Sequence, residues 1–136
     1  MTTPSAAEVP IASNEDVVRV RQLVRAAASE AGLSLVNQTK IITAASELAR
    51  NTLVYGGGGS ARIERTVGAR GQACLRVTFT DDGPGIADTA QAMADGWTTG
   101  DGLGLGLSGA RRLADEFELE SSPGKGTRVV VVQWIR

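Results

Sequence analysis

The chain has no histidine, one cysteine and only two lysines, Lys40 and Lys125, among its 14 basic residues. The missing histidine removes the Ser-His-Asp and Cys-His nucleophile pairs, histidine-ligated zinc and any phospho-histidine of the chain's own. Cys74 stands alone, so neither an internal disulfide nor a Cys-x-x-Cys metal knuckle can form, and a reducing cytoplasm suits the chain. Aromatic residues make up only 4%. The net charge of −1 argues against a non-specific nucleic-acid binder, which needs a basic field. No stretch approaches the ~18 uninterrupted apolar residues of a membrane span. Met1 to Pro10 lacks the basic start and apolar core of a signal peptide.

What remains is 136 residues, enough for one domain with a core that needs no metal or disulfide. Glycine is the one excess. Of 17 glycines, only Gly32 precedes Tyr55, so the surplus belongs to the later part of the chain.

Hydrophobic periodicity divides the chain into elements. Residues 1–8 read as a loose terminus, followed by Val9 and Ile11 as a short apolar start. Ser13 and Asp16 form a capping-box-like signal. The helix they open places Val17, Val20, Val24, Ala27, Ala28 and Ala31 on one face, and Gly32 closes it. Ser34 caps a second helix reaching about Tyr55, with Ile41, Ala45, Leu48 and Thr52 as its stripe. Period-two alternation then predicts a hairpin, Ala61 to Val67 and Ala73 to Phe79, around a turn at Gly68 to Gln72. Asp88 to Asp95 reads as a short helix, Gly96 to Gly106 as a glycine-broken loop and Leu107 to Glu116 as a helix. Phe117 to Ser121 and Val129 to Trp134 complete the strands, the latter apolar enough for burial on both faces. Strands in adjacent pairs with helices between them predict an α+β fold: a two-layer sandwich with a mixed, mostly antiparallel sheet and its helices on one face.

Four stations carry candidate chemistry. Glu47 and Asn51 are i and i+4 on the second helix, ~40° apart around its axis, while Ile41, Ala45 and Leu48 lie roughly 100–160° from Glu47. A carboxylate there can serve as general base and an amide oxygen can ligate magnesium; a solvated polar face is the plain alternative. Asp81-Asp82-Gly83-Pro84-Gly85-Ile86 follows a strand, where a carboxylate can accept from an exocyclic amine and glycines let a flat ring approach the backbone; an ordinary turn has the same composition. Gly100 to Leu107 alternates glycine with other residues as it enters a helix, exposing N–H groups that suit phosphates, or it is a flexible loop. Gly124-Lys125-Gly126-Thr127 precedes the last strand and by itself reads as a hairpin turn. Gly104, Gly106 and Gly109 formally match GxGxxG, but no strand leads into that loop, which excludes a dinucleotide-binding βαβ unit. A Walker A loop fails as well, because Gly126 follows Gly124-Lys125 where Ser or Thr is required and position 119 is Leu.

The ordered combination Glu-x-x-x-Asn, Asp-x-Gly-x-Gly, Gly-x-Gly-x-Gly, Gly-x-Gly-Thr resembles the N, G1, G2 and G3 boxes of the GHKL superfamily of ATP-binding domains, the Bergerat fold. The resemblance runs from about Val9 to Arg136. It is nearest to the RsbT-type serine/threonine kinases of the bacterial stress-response switch, through Ser46 to Asn51, Asp82 to Ile86, Gly102 to Gly104, Arg112 to Phe117 and the closing Trp134-Ile135-Arg136. It implies one ATP-binding kinase domain over 9–136, with a lid at about 87–106. It implies that Asn51 holds magnesium, Glu47 is the general base, and Asp81 binds the adenine amino group in a pocket shaped by Gly83, Gly85 and Ile86. It further implies that Gly102, Leu103, Gly104, Leu105 and Gly106 wrap phosphate and that Thr127 lies beside Asp81 and adenine. Trp97 to Gly106 holds no basic residue, so the γ-phosphate's basic contact falls to Arg111 or a partner.

The implied cofactors are ATP and Mg2+. The implied partners are STAS-domain scaffold or antagonist proteins and a PP2C-type phosphatase, with no nucleic acid and no membrane; a homodimer is left unassigned. The neighbouring RsbW or SpoIIAB type of anti-sigma factor shares the same boxes and is the alternative. A pure binding module is disfavoured by the joint presence of Glu47 and Asn51.

Overall fold

The computed structural model describes residues 5–93 and 106–135. In chain order it runs β1 (Ser5–Ile11), α1 (Asn14–Glu30), α2 (Leu35–Val54), β2 (Gly59–Val67), β3 (Ala73–Asp81), α3 (Thr89–Ala92), α4 (Leu107–Leu113), β4 (Glu116–Ser121) and β5 (Thr127–Trp134).

Local chemistry sets the helix limits. Ser13 Oγ accepts from the Asp16 N–H at 3.4 Å while Asp16 Oδ2 takes the Ala12 N–H at 2.8 Å, a reciprocal cap at the start of α1. At its far end the Gly32 N–H reaches Ser29 O and the Leu33 N–H reaches Ala28 O, so carbonyls that the helix leaves open are satisfied. Ser34 caps α2 by accepting from the Asn37 N–H at 3.2 Å. α2 then unwinds through glycine: the Tyr55 and Gly56 N–H groups both donate to Asn51 O, and Gly59 begins β2.

The sheet has the order β1-β2-β3-β5-β4, and every neighbouring pair is antiparallel. The α+β sandwich is therefore as expected, with an antiparallel sheet in place of a mixed one. The expectation of a loose start over 1–8 is corrected from Ser5 onward: Ser5 to Ile11 pairs residue for residue with Arg65 to Gly59. Pro10 is accommodated in β1 because it is an edge strand, where a missing N–H costs least. Other differences are short. β3 continues to Asp81, α3 covers only Thr89–Ala92, and α4 stops at Leu113, after which Ala114 is extended and Glu116 enters β4.

One core cluster joins the three longer helices to one face of the sheet. It includes Val20, Val24, Ile41, Leu48, Leu75, Val77, Phe79, Leu107 and Val131. Phe79 is 1% exposed, and burying a side chain of that size stabilises by about 2–3 kcal/mol. The opposite face carries a small separate cluster of Cys74, Val130 and Val132 under Trp134, so β5 is buried on both sides. Beside it runs a ladder of charges. Arg76 clasps Glu64 through two bonds of 3.2 Å, and Arg62 reaches Glu64 at 3.5 Å and Glu8 at 3.9 Å.

Candidate nucleotide site

The helical layer and the sheet leave a cleft of about 300 Å³ between α2 and the ends of β3 and β5. Its apolar surface comes from Leu48, Thr52, Phe79, Leu107 and Val129. Among its polar groups, Asn51 comes from α2, Asp81 from β3 and Thr127 from β5, with Tyr55 and Asp88 also in the lining. Gly85 and Ile86 close the side beyond β3. An apolar slot with a few convergent polar groups is the ordinary form of a small-molecule site.

Asp81 and Thr127 face each other because they are register partners at the end of the β3–β5 pair. The Gly83 N–H donates to Asp81 Oδ1 at 2.9 Å. Burial pushes the Asp81 carboxyl above its ordinary value; the Gly83 and Thr127 N–H groups pull it down in part, and the charge of Asp82 pushes it up. None of the groups that shift it is a lysine or arginine. Asp81 is thus a half-buried carboxylate balanced by backbone donors, with its remaining acceptor capacity facing the cleft.

The carboxylate is also shaped by a contact that sequence reading missed. A Cβ on Gly56 would overlap the Asp81 carboxyl group, and one on Gly83 would come within 2.7 Å of Gly56 O. Gly56 belongs to a run of four glycines that reads as a plain loop. Its first member is what lets the end of α2 lie against Asp81.

The loop after β3 is braced against the β4–β5 turn. Pro84 O accepts from the Gly124 N–H at 2.8 Å, and the Ile86 N–H donates to Ser121 Oγ at 2.8 Å. The second and fourth stations, distant in sequence, therefore form one end of the cleft. Ser121 has no motif signature and was not anticipated. Leu48, Thr52, Phe79 and Val129 carry only the pattern of core residues, and part of that core is the cleft's inner surface.

The first and third stations also meet. Glu47 is exposed on α2, one turn before Asn51, and a Cβ on Gly106 would come within 2.8 Å of Glu47 Oε2. Gly106 has φ 67° and caps α4, so it fits there both by conformation and by its lack of a side chain. Neither Glu47 nor Gly106 lines the cleft itself, whereas Leu107 does. Gly102, Leu103, Gly104 and Leu105 lie outside the described residues. Arg111 is exposed and borders a shallow depression with Thr89, Met93 and Leu119, away from the cleft lining.

Among the described residues no group of three or more Asp, Glu, His or Cys could hold a metal ion. A magnesium ion that takes most of its ligands from phosphate and water needs little more than one side-chain oxygen, and half-buried Asn51 in the cleft fits that demand. The described residues include no helix long and apolar enough to cross a membrane.

Comparison with known proteins gives the family. The family model for histidine kinase-, DNA gyrase B- and HSP90-like ATPases matches residues 36–135, which contain the cleft's helix α2 and all strands but β1. The chain belongs to that ATPase family. It is 46% identical over 128 residues to the serine/threonine-protein kinase RsbT of Bacillus subtilis (strain 168), covering 94% of this chain and 96% of that one. An anti-sigma F factor of Clostridium novyi (strain NT) is 30% identical over 125 residues, covering 87% of this chain and 84% of its own. In fold, the chain superposes on a crystal structure of RsbU and RsbW domains from Mycobacterium tuberculosis with TM-score 0.66 at 19% identity, covering 99% of this chain and 33% of that one. It superposes on a blue-light activated histidine kinase domain from Erythrobacter litoralis with TM-score 0.53 at 18% identity, covering 93% and 61%. Within the family the chain is an ATP-using protein serine/threonine kinase of the RsbT, partner-switching type.

Proposed function

We propose that the cleft holds ATP with adenine against Asp81 and Thr127, and that the chain passes the γ-phosphoryl group to a serine or threonine of a STAS-domain protein in the cytoplasm. The observation that carries this reading is the half-buried Asp81 carboxylate, which lines an apolar slot and whose hydrogen bonds come from the Gly83 and Thr127 backbone N–H groups. Such a group suits the exocyclic amine of adenine. Gly83, Gly85 and Ile86 shape the slot around the ring, and the triphosphate runs past Asn51 toward Gly106 and the phosphate-wrapping segment Gly102 to Leu105.

Asn51 would hold magnesium through its amide oxygen; the bound ion neutralises charge on the phosphates. Glu47, one turn away, takes the proton of the substrate hydroxyl as its oxygen bonds to the γ-phosphorus. The bond from that phosphorus to the β–γ bridging oxygen breaks, and ADP leaves with the electron pair. Positioning and charge neutralisation carry most of such a transfer, which suits a chain without histidine. Once released from the STAS complex, the chain binds and activates a PP2C-type phosphatase.

The test is incubation with γ-labelled ATP and a candidate STAS-domain protein, followed by mapping of the label. The expected label is on a serine or threonine of the STAS protein. Label confined to free phosphate across a panel of STAS proteins would refute the transfer.

The anti-sigma factor relatives at 30% identity support a second reading, in which the chain also holds a sigma factor. Capture from a bacterial lysate separates the two: the first reading expects STAS and phosphatase partners, and recovery of a sigma factor would favour the second.

A further inference from the structure

Ser121 ends β4 with three polar neighbours around one hydroxyl. Its Oγ lies 2.8 Å from the Ile86 N, 2.9 Å from Gly126 O and 2.8 Å from Thr127 Oγ1. A hydroxyl has one proton and two lone pairs, so three partners use its full capacity. The assignment of each bond then follows. The Ile86 N–H can only donate, which takes one lone pair. The Gly126 carbonyl can only accept, which takes the proton. The remaining lone pair must receive a proton, and only Thr127 Oγ1 can give it. Thr127 is left with lone pairs and no free proton.

Thr127 lines the cleft opposite Asp81, its partner in register. An ionised Asp81 also offers only lone pairs. We infer that Ser121 is a positioning residue for nucleotide specificity: by committing the Thr127 proton, it leaves the Asp81–Thr127 edge of the cleft with acceptors only, so that edge takes a 6-amino purine and disfavours a 6-oxo purine. The inference rests on the proposed ATP site and extends it to the choice of base.

The physical contrast is direct. A 6-amino group brings two N–H donors to two acceptors. A 6-oxo purine brings carbonyl lone pairs in place of the amine's donors; its N1–H can reach one acceptor, but the 6-oxo oxygen then faces the other acceptor with both unpaired in a partly desolvated slot, an arrangement that favours rejection. If the Ser121 hydroxyl is removed, the Thr127 proton becomes free to turn toward the cleft and donate to a 6-oxo oxygen. Ser121 also anchors the Ile86 N–H, so its loss loosens the loop beyond Asp81; that effect weakens both bases alike and leaves their ratio unchanged.

The test is calorimetric titration of ATP and of inosine triphosphate, which carries a 6-oxo group in place of the amine, into the parent chain and into Ser121→Ala, Ser121→Thr and Thr127→Val. The parent is expected to prefer ATP. In Ser121→Ala the preference should shrink by about 10-fold, the worth of one ordinary hydrogen bond. Ser121→Thr keeps a hydroxyl and should restore it. In a Thr127→Val background, Ser121→Ala should leave the preference where Thr127→Val alone puts it, because the two residues act through one proton. A parent-like preference in Ser121→Ala, with ATP still bound, would overturn this inference alone. A parent chain that binds both nucleotides equally, or neither, would overturn the proposed adenine site along with it.

Discussion

Two carboxylates on neighbouring strands show what each face of the sheet is for. Glu64 of β2 lies on the open face, gripped by Arg76 through two bonds of 3.2 Å and approached by Arg62. The Arg76 hydrogen bonds hold it below the ordinary carboxylate value despite opposing burial. Asp81 of β3 lies at the helix-covered end, where burial raises it and only backbone N–H groups answer. The paired carboxylate is complete within the fold. The other is stabilised only in part, and in the proposed site its remaining acceptor capacity goes to the nucleotide, so the same functional group would serve structure on one face and binding on the other.

Changes on the cleft side should damage function far more than stability, and changes on the open face the reverse. The largest effect is expected from Glu47→Ala, which should keep ATP binding and lower phosphoryl transfer by ~10²–10⁴-fold, the usual scale of general-base loss; a transfer assay with unchanged rate would remove Glu47 from the mechanism. Next is Gly56→Ala. Its new Cβ overlaps the Asp81 carboxyl, so ATP affinity should fall by about 10-fold or more by calorimetry, the scale of a displaced charge-assisted hydrogen bond. Parent-like affinity would show that Asp81 can sit elsewhere and still bind.

On the open face, Glu64→Gln should cost about 1 kcal/mol in denaturant unfolding, since Arg76 is partly solvated and screened, with ATP affinity unchanged. The cost has a pH signature. A carboxyl lowered in the fold stabilises above its unfolded value near 4.5 and loses that contribution as pH falls through the folded value, so parent and variant should converge in acid. The smallest effect belongs to Glu8→Ala. Its 3.9 Å pair with Arg62 joins two exposed side chains, and unfolding should shift by no more than about 0.5 kcal/mol.

The helices were legible because their signals are local: Ser13 and Ser34 cap them, and their apolar stripes are regular. The four stations were legible in order, and the fold brings Asn51, Asp81, Gly85, Ile86 and Thr127 to one cleft. β1 was not legible, because its sequence SAAEVPI has little intrinsic strand preference and is made a strand by pairing with β2. Gly56 and Ser121 were hidden for a related reason. Each acts on a residue far along the chain, Gly56 on Asp81 and Ser121 on Ile86, and no local pattern records such a contact. Leu48 and Phe79 carry the period of a core whether or not a ligand lies against it.

The contrast between the two carboxylates is tested most directly by thermal unfolding of the parent and Asp81→Asn, each with and without ATP and magnesium, at neutral pH. A carboxyl raised in the fold adds stability below its unfolded value near 3.8 and loses it as pH rises through the folded value, so at neutral pH its charge is a burden on the empty protein. The account predicts that Asp81→Asn without nucleotide melts no lower than the parent, and that the rise in melting temperature on adding ATP is large in the parent and mostly lost in the variant. An Asp81→Asn chain that melts well below the parent yet keeps the full ATP-induced rise would contradict it.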